Sequence, residues 1–89
     1  GFPGDFHQVF NNAFRVAFAT EIANGELAIN DAARWQAYSM THPTAQAQVA
    51  TLLVAAYTTV FAGMGAPGSA AVAVFVAECR RTYPGTGTP

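Results

Sequence analysis

The stretch DFHQVFNNAFRVAFATEI, residues 5–22, decides the fold. Phe6, Phe10, Phe14, Phe18 and Ile22 recur in it at every fourth position. At about 3.6 residues per turn such a series lies along one slowly drifting ridge of an α-helix. Val9, Ala13 and Ala17 widen the ridge into an apolar face, while Gln8, Asn11, Asn12 and Arg15 point elsewhere. Asp5 suits an N-cap and Asn24-Gly25 suits a stop, so the first helix is expected over 5–23.

Working outward, a second helix is expected over about 30–41, with Asn30 as its N-cap and Trp35, Tyr38 and Met40 as its apolar bulk. Glu26-Leu27-Ala28-Ile29 before it reads either as an extra helical turn or as an extended connector. His42-Pro43 ends this helix, because the residue before a proline is pushed out of the helical region. A third helix over 44–62 follows from Val49, Leu52, Leu53, Ala56, Val60 and Met64 at helical spacing. Its opposite stripe, Thr51, Ala55, Thr59 and Gly63, is small enough to let another backbone approach. Gly63, Gly65, Pro67 and Gly68 form a break. The fourth segment, 69–82, alternates like a strand at Val72, Val74 and Val76. Its alanines, the Ser69 cap, the terminal Arg80-Arg81 pair and the want of a partner strand favour a helix. The expected fold is all-α, a compact bundle of four short helices occupying 5–83. Residues 1–4 and the Gly/Pro/Thr tract 84–89 read as linkers.

Composition narrows the function. Of 89 residues, 52% are apolar and only 10% charged, against roughly a quarter charged in ordinary soluble domains. That profile excludes a disordered chain. There is no lysine, and four arginines cannot build the phosphate-neutralising patch that nucleic-acid binding rests on. Cys79 is the single cysteine, either a buried small hydrophobe or one half of an intermolecular disulfide in a homodimer.

No acidic or basic residue lies between Trp35 and Ala77 apart from His42. The stretch 46–66 has the length of a membrane span. Gln46, Gln48, Thr51, Thr58, Thr59, Gly63 and Gly65 weigh against insertion, as does alanine in place of leucine. A helix buried in a core or at an interface accounts for the same pattern. Four short helices have difficulty covering both this stretch and the Phe ridge, so self-association is the expected way of hiding the surplus. The ridge Phe6, Phe10, Phe14, Phe18 and Ile22 is then either the core, an association face, or the wall of an apolar-ligand pocket.

No catalytic constellation stands out. Ser39, His42 and Asp31 lack any nucleophile motif around the serine. His7 and His42 lack paired metal-ligand spacing, and Gly63 to Gly68 lacks the lysine of a phosphate loop. Neither a metal nor an organic cofactor is called for, and the chain reads as a non-enzyme. In so charge-poor a chain, Arg15, Glu21, Arg34 and Glu78 are candidates for fixing register or pairing.

The alanine-rich uncharged helices, the lone Cys79 and the flanks Phe2-Pro3-Gly4 and Pro84 to Pro89 together resemble the helical modules of silk proteins, the spidroins. The likeness is one of composition and organisation over the whole chain. It departs from that family in serine, present only at Ser39 and Ser69. The resemblance implies a secreted, non-catalytic module that keeps its protein soluble and helps it assemble with itself or with tandem copies. The other readings are a small binder of an apolar ligand and a membrane-spanning accessory subunit.

Overall fold

The computed structural model describes residues 4–62 and 69–86. Every regular element among them is helical: α1 (Gly4–Ala17), α2 (Ala19–Ala23), α3 (Ala32–Thr41), α4 (Pro43–Phe61) and α5 (Ser69–Thr82). The all-α bundle is therefore observed, with one change: the first expected helix is two.

The change has a geometric cause. Residues four apart on a straight α-helix advance by about 40° around the axis. From Phe6 to Ile22 the ridge would swing by about 160° and leave the core. The chain bends where the drift becomes intolerable, at Phe18 (φ −118°, ψ 33°). The turn keeps its hydrogen bonds, Phe18 N–H to Phe14 O and Ile22 N–H to Phe18 O, both 2.9 Å. All four phenylalanines are consequently buried, and Ile22 packs half-buried against them.

Helix α2 ends as Asn24-Gly25 requires. Gly25 takes φ 85°, Glu26 N–H donates to Glu21 O and Gly25 N–H to Ile22 O. This is the Schellman arrangement, and its left-handed residue explains the glycine. The connector that follows is not helical. It drives Leu27 into the core at 1% exposure. Asn30 is not the N-cap of the next helix; it sits in the left-handed region at φ 60°. The cap is Asp31, whose carboxylate accepts from Arg34 N–H at 3.0 Å. Asp5 likewise lies within the first turn of α1, where its charge meets the positive end of the dipole.

One residue, His42 (φ −133°, ψ 70°), joins α3 to α4 and caps both. Pro43 occupies the first turn of α4, where its missing N–H costs no helical bond. Helix α4 packs most closely against α1 and then against α3. It turns Ala45, Val49, Leu53 and Ala56 inward. Helix α5 reaches the bundle through large rings: Phe75 meets Phe6 edge-on at 5.8 Å and Tyr57 at 4.4 Å between centroids.

The folded body does not stop at α5. Tyr83 is buried, with its ring 5.2 Å from Phe10, 5.4 Å from Phe14 and 5.6 Å from Trp35. Its hydroxyl accepts from Asn30 N–H at 3.3 Å, and burial raises its pKa. Trp35 Nε1–H donates to Pro84 O at 2.9 Å. Gly85, at φ 88°, turns the chain beside the Gln46 side chain. Thr86 is buried, and its hydroxyl donates to Tyr83 O. Residues 84–86, expected to be linker, are thus a strap across the core; 87–89 lie outside the described residues.

Replacing Tyr83 by alanine empties a space between three rings and is expected to cost about 3–5 kcal/mol. Tyr83→Phe keeps the ring and loses one hydrogen bond, an expected loss of about 1 kcal/mol. Urea unfolding followed by the fluorescence of Trp35 measures both. Equal losses in the two variants would contradict a packing role for the ring.

Candidate functional site

The Phe ridge is committed inside the chain. Successive rings stand 6.4, 5.7 and 4.8 Å apart from Phe6 to Phe18. Phe75 and Tyr83 fill the remaining contacts. The ridge lies in the core, with each of its four phenylalanines at most 3% exposed.

Cys79 is a free, buried thiol at 2% exposure. Burial first, and the neighbouring Glu78 charge second, push its pKa up to about 11. A sulfur so placed is no outward disulfide partner.

The structure does not gather Arg15, Glu21, Arg34 and Glu78 into one site. Arg34 pairs with Asp31 at 2.7 Å and donates to Gly25 O at 3.1 Å, locking the α2–α3 connector. Glu78 lies 3.3 Å from Arg81 and 3.9 Å from His7, bridging α5 to α1. Arg15 donates only to Asn12, at 3.4 Å. Ser39, His42 and Asp31 are also occupied separately. Ser39 is buried and donates to Gln36 O, while Asp31 is spent on its cap and on Arg34. No group of three metal-ligating side chains occurs among the described residues.

Two surfaces remain. The first is the outward side of α4. Ala47, Thr51, Val54, Ala55 and Thr58 are exposed there, and the helix has no charged residue from Pro43 to Phe61. Thr51 and Thr59 turn their hydroxyls onto Ala47 O and Ala55 O of the same helix. Those two hydroxyls are thereby spent within the helix. Ala50, Thr51, Val54 and Ala55 line a shallow open groove on this side. The stripe Thr51, Ala55 and Thr59 faces solvent and receives no backbone from the described residues; Met64 and Gly63 lie outside them. No helix among the described residues is long and apolar enough to cross a membrane.

The second is a hollow of about 250 Å³ walled by Glu26, Ala37, Tyr38, Thr41 and His42. The Tyr38 and His42 rings stack at 4.0 Å, 3° from parallel. His42 Nδ1 lies 3.0 Å from Tyr38 O. The same nitrogen lies 2.9 Å from Thr41 Oγ1. Thr41 Oγ1 completes the network by donating to Tyr38 O at 3.2 Å. Asn24 Nδ2 holds the Glu26 carboxylate at 2.8 Å. Burial raises the Tyr38 pKa, and the charges of Glu21 and Glu26 raise it further.

Tyr83, Phe75 and Leu27 escaped the sequence reading. Phe75, Cys79 and Tyr83 repeat the four-residue spacing of the Phe ridge, a signal masked by the alternating valines beside it.

The chain matches no family model, no curated protein and no solved structure.

Two outcomes follow from these placements. A thiol reagent at pH 8 should label Cys79 at least about a hundredfold more slowly in the native chain than in urea, since the thiolate is scarce and buried. Equal rates would place the sulfur at the surface. Hydrogen bonds from Arg34 hold the Asp31 pKa below its ordinary 3.8. Its contribution to stability is then present above pH 3.8 and lost as pH falls through the lower native value. The gap in urea midpoint between wild type and Asp31→Ala should persist at about pH 5 and narrow at about pH 2. A constant gap would show that the carboxylate's charge plays no part.

Proposed function

We propose that this chain is a non-catalytic structural module that self-associates through the outward face of α4, two copies meeting helix to helix. The charge-free run of that helix, with Val54 and Ala55 exposed at its middle, is the observation that carries the reading. Charged rows oppose close approach between identical surfaces, and α4 has none. A net charge of −1 adds little long-range repulsion between copies. A two-fold contact suits one straight helix, because the same patch serves both partners.

The occupied ridge redirects the association. The phenylalanines already spend their area within the chain, so the surplus that needs a partner is the methyl-rich exterior of α4. The likeness to spidroin modules in composition supports the finer reading, a bead in an extracellular fibre-forming protein. The membrane-subunit reading has less support, because α4 is too polar to span.

Sedimentation velocity over a concentration series tests the proposal. Wild type is expected to shift from monomer to dimer. Val54→Glu, which places a charge in the middle of the contact, should keep its helical circular dichroism. It should also weaken dimerisation by at least about tenfold. A wild type that stays monomeric at every concentration overturns the reading.

A further inference from the structure

The four arginines divide unevenly. Arg34 holds Asp31, Arg81 holds Glu78 and Arg15 donates to Asn12. Among the described residues Arg80 is the one arginine whose side chain has no hydrogen bond or ion pair, and it is exposed on the last turn of α5. The carboxylates divide likewise. Asp31 and Glu78 have cationic partners, whereas Glu21 and Glu26 have none among the described residues. One free guanidinium therefore faces solvent from α5, and the unneutralised Glu26 carboxylate lines the Tyr38–His42 hollow.

The hollow has the chemistry a guanidinium needs. Its volume of about 250 Å³ falls below the roughly 300–1,000 Å³ of small-molecule sites, so it suits a side chain better than a cofactor. The parallel Tyr38 and His42 rings offer aromatic surface for a planar cation to stack on. Glu26 is held in place by Asn24 and supplies the fork that a guanidinium pairs with.

We infer that this hollow receives Arg80 of a second copy of the chain. The contact is head-to-tail, because the key sits on α5 and the lock between the α2–α3 connector and the end of α3. A heterologous contact closes into a ring where its rotation allows and otherwise extends as an open chain. Combined with α4-to-α4 pairing, on which this inference rests, the Arg80 contact links pairs into species larger than a dimer. It is electrostatic and exposed, so it weakens with salt while the α4 contact does not.

Sedimentation velocity at low salt tests this with wild type, Arg80→Ala and Glu26→Gln. Both substitutions are at exposed positions, and the glutamine still accepts from Asn24. Wild type is expected to form species larger than a dimer. Both variants should stop at the dimer, with the step beyond it about tenfold weaker. About 1 M salt, where the Debye length is roughly 3 Å, should hold wild type at the dimer as well. A wild type that ends at the dimer overturns the inference and leaves α4 pairing standing, as does either variant building larger species as readily as wild type. A monomeric wild type removes the α4 pairing and this contact with it.

Discussion

The fold depends on the ring of Tyr83. It is the ring through which the Phe ridge of α1 meets Trp35 of α3. The ring touches Phe10, Phe14 and Trp35 at once, and its hydroxyl holds the backbone at Asn30. The strap beyond it returns a carbonyl to the Trp35 indole, so that a buried N–H is satisfied. A small domain has few buried side chains to share the entropy of folding. Here one residue joins the first helix, the α2–α3 connector, α3 and the C-terminal segment.

That arrangement decides which surface is left over. With the ridge closed by Tyr83 and Phe75, the phenylalanines of the first helix are not offered to a partner. Helix α4 turns Val49, Leu53 and Ala56 inward and leaves an uncharged exterior on which Ala47, Gln48, Thr51, Val54, Ala55, Thr58 and Thr59 are exposed. The threonines keep their hydroxyls on their own helix, which lowers the cost of drying that face. Association thus follows from the core: the more completely one helix is consumed, the more plainly the other remains.

Helix content and most boundaries were legible in the sequence. Gly25 and Pro43 mark ends that the backbone respects, because a left-handed residue and a missing N–H each act locally. The break at Phe18 was not legible as a stop signal. It carries no proline or glycine and arises from the accumulated drift of a four-residue repeat, a geometric conflict that only the tertiary core exposes. The strap was missed for the opposite reason. Pro84, Gly85 and Thr86 have the composition of a linker, and their order comes from Trp35, 49 residues away. The hollow at Tyr38 was equally hidden, since Glu26 and His42 meet only after the connector folds back. Among the ionic candidates, Arg34 pairs with Asp31, and Glu78 with Arg81 and His7, partners that spacing alone does not single out.

The account's central claim is that the core consumes the Phe ridge and leaves the exterior of α4 to meet a second copy. Backbone amide spectra of the labelled chain, recorded from dilute to concentrated solution, test this most directly. The account predicts concentration-dependent shifts centred on Thr51, Val54, Ala55 and Thr58, with Phe6, Phe10 and Phe14 unmoved. Shifts centred on the phenylalanines, with α4 silent, would contradict it.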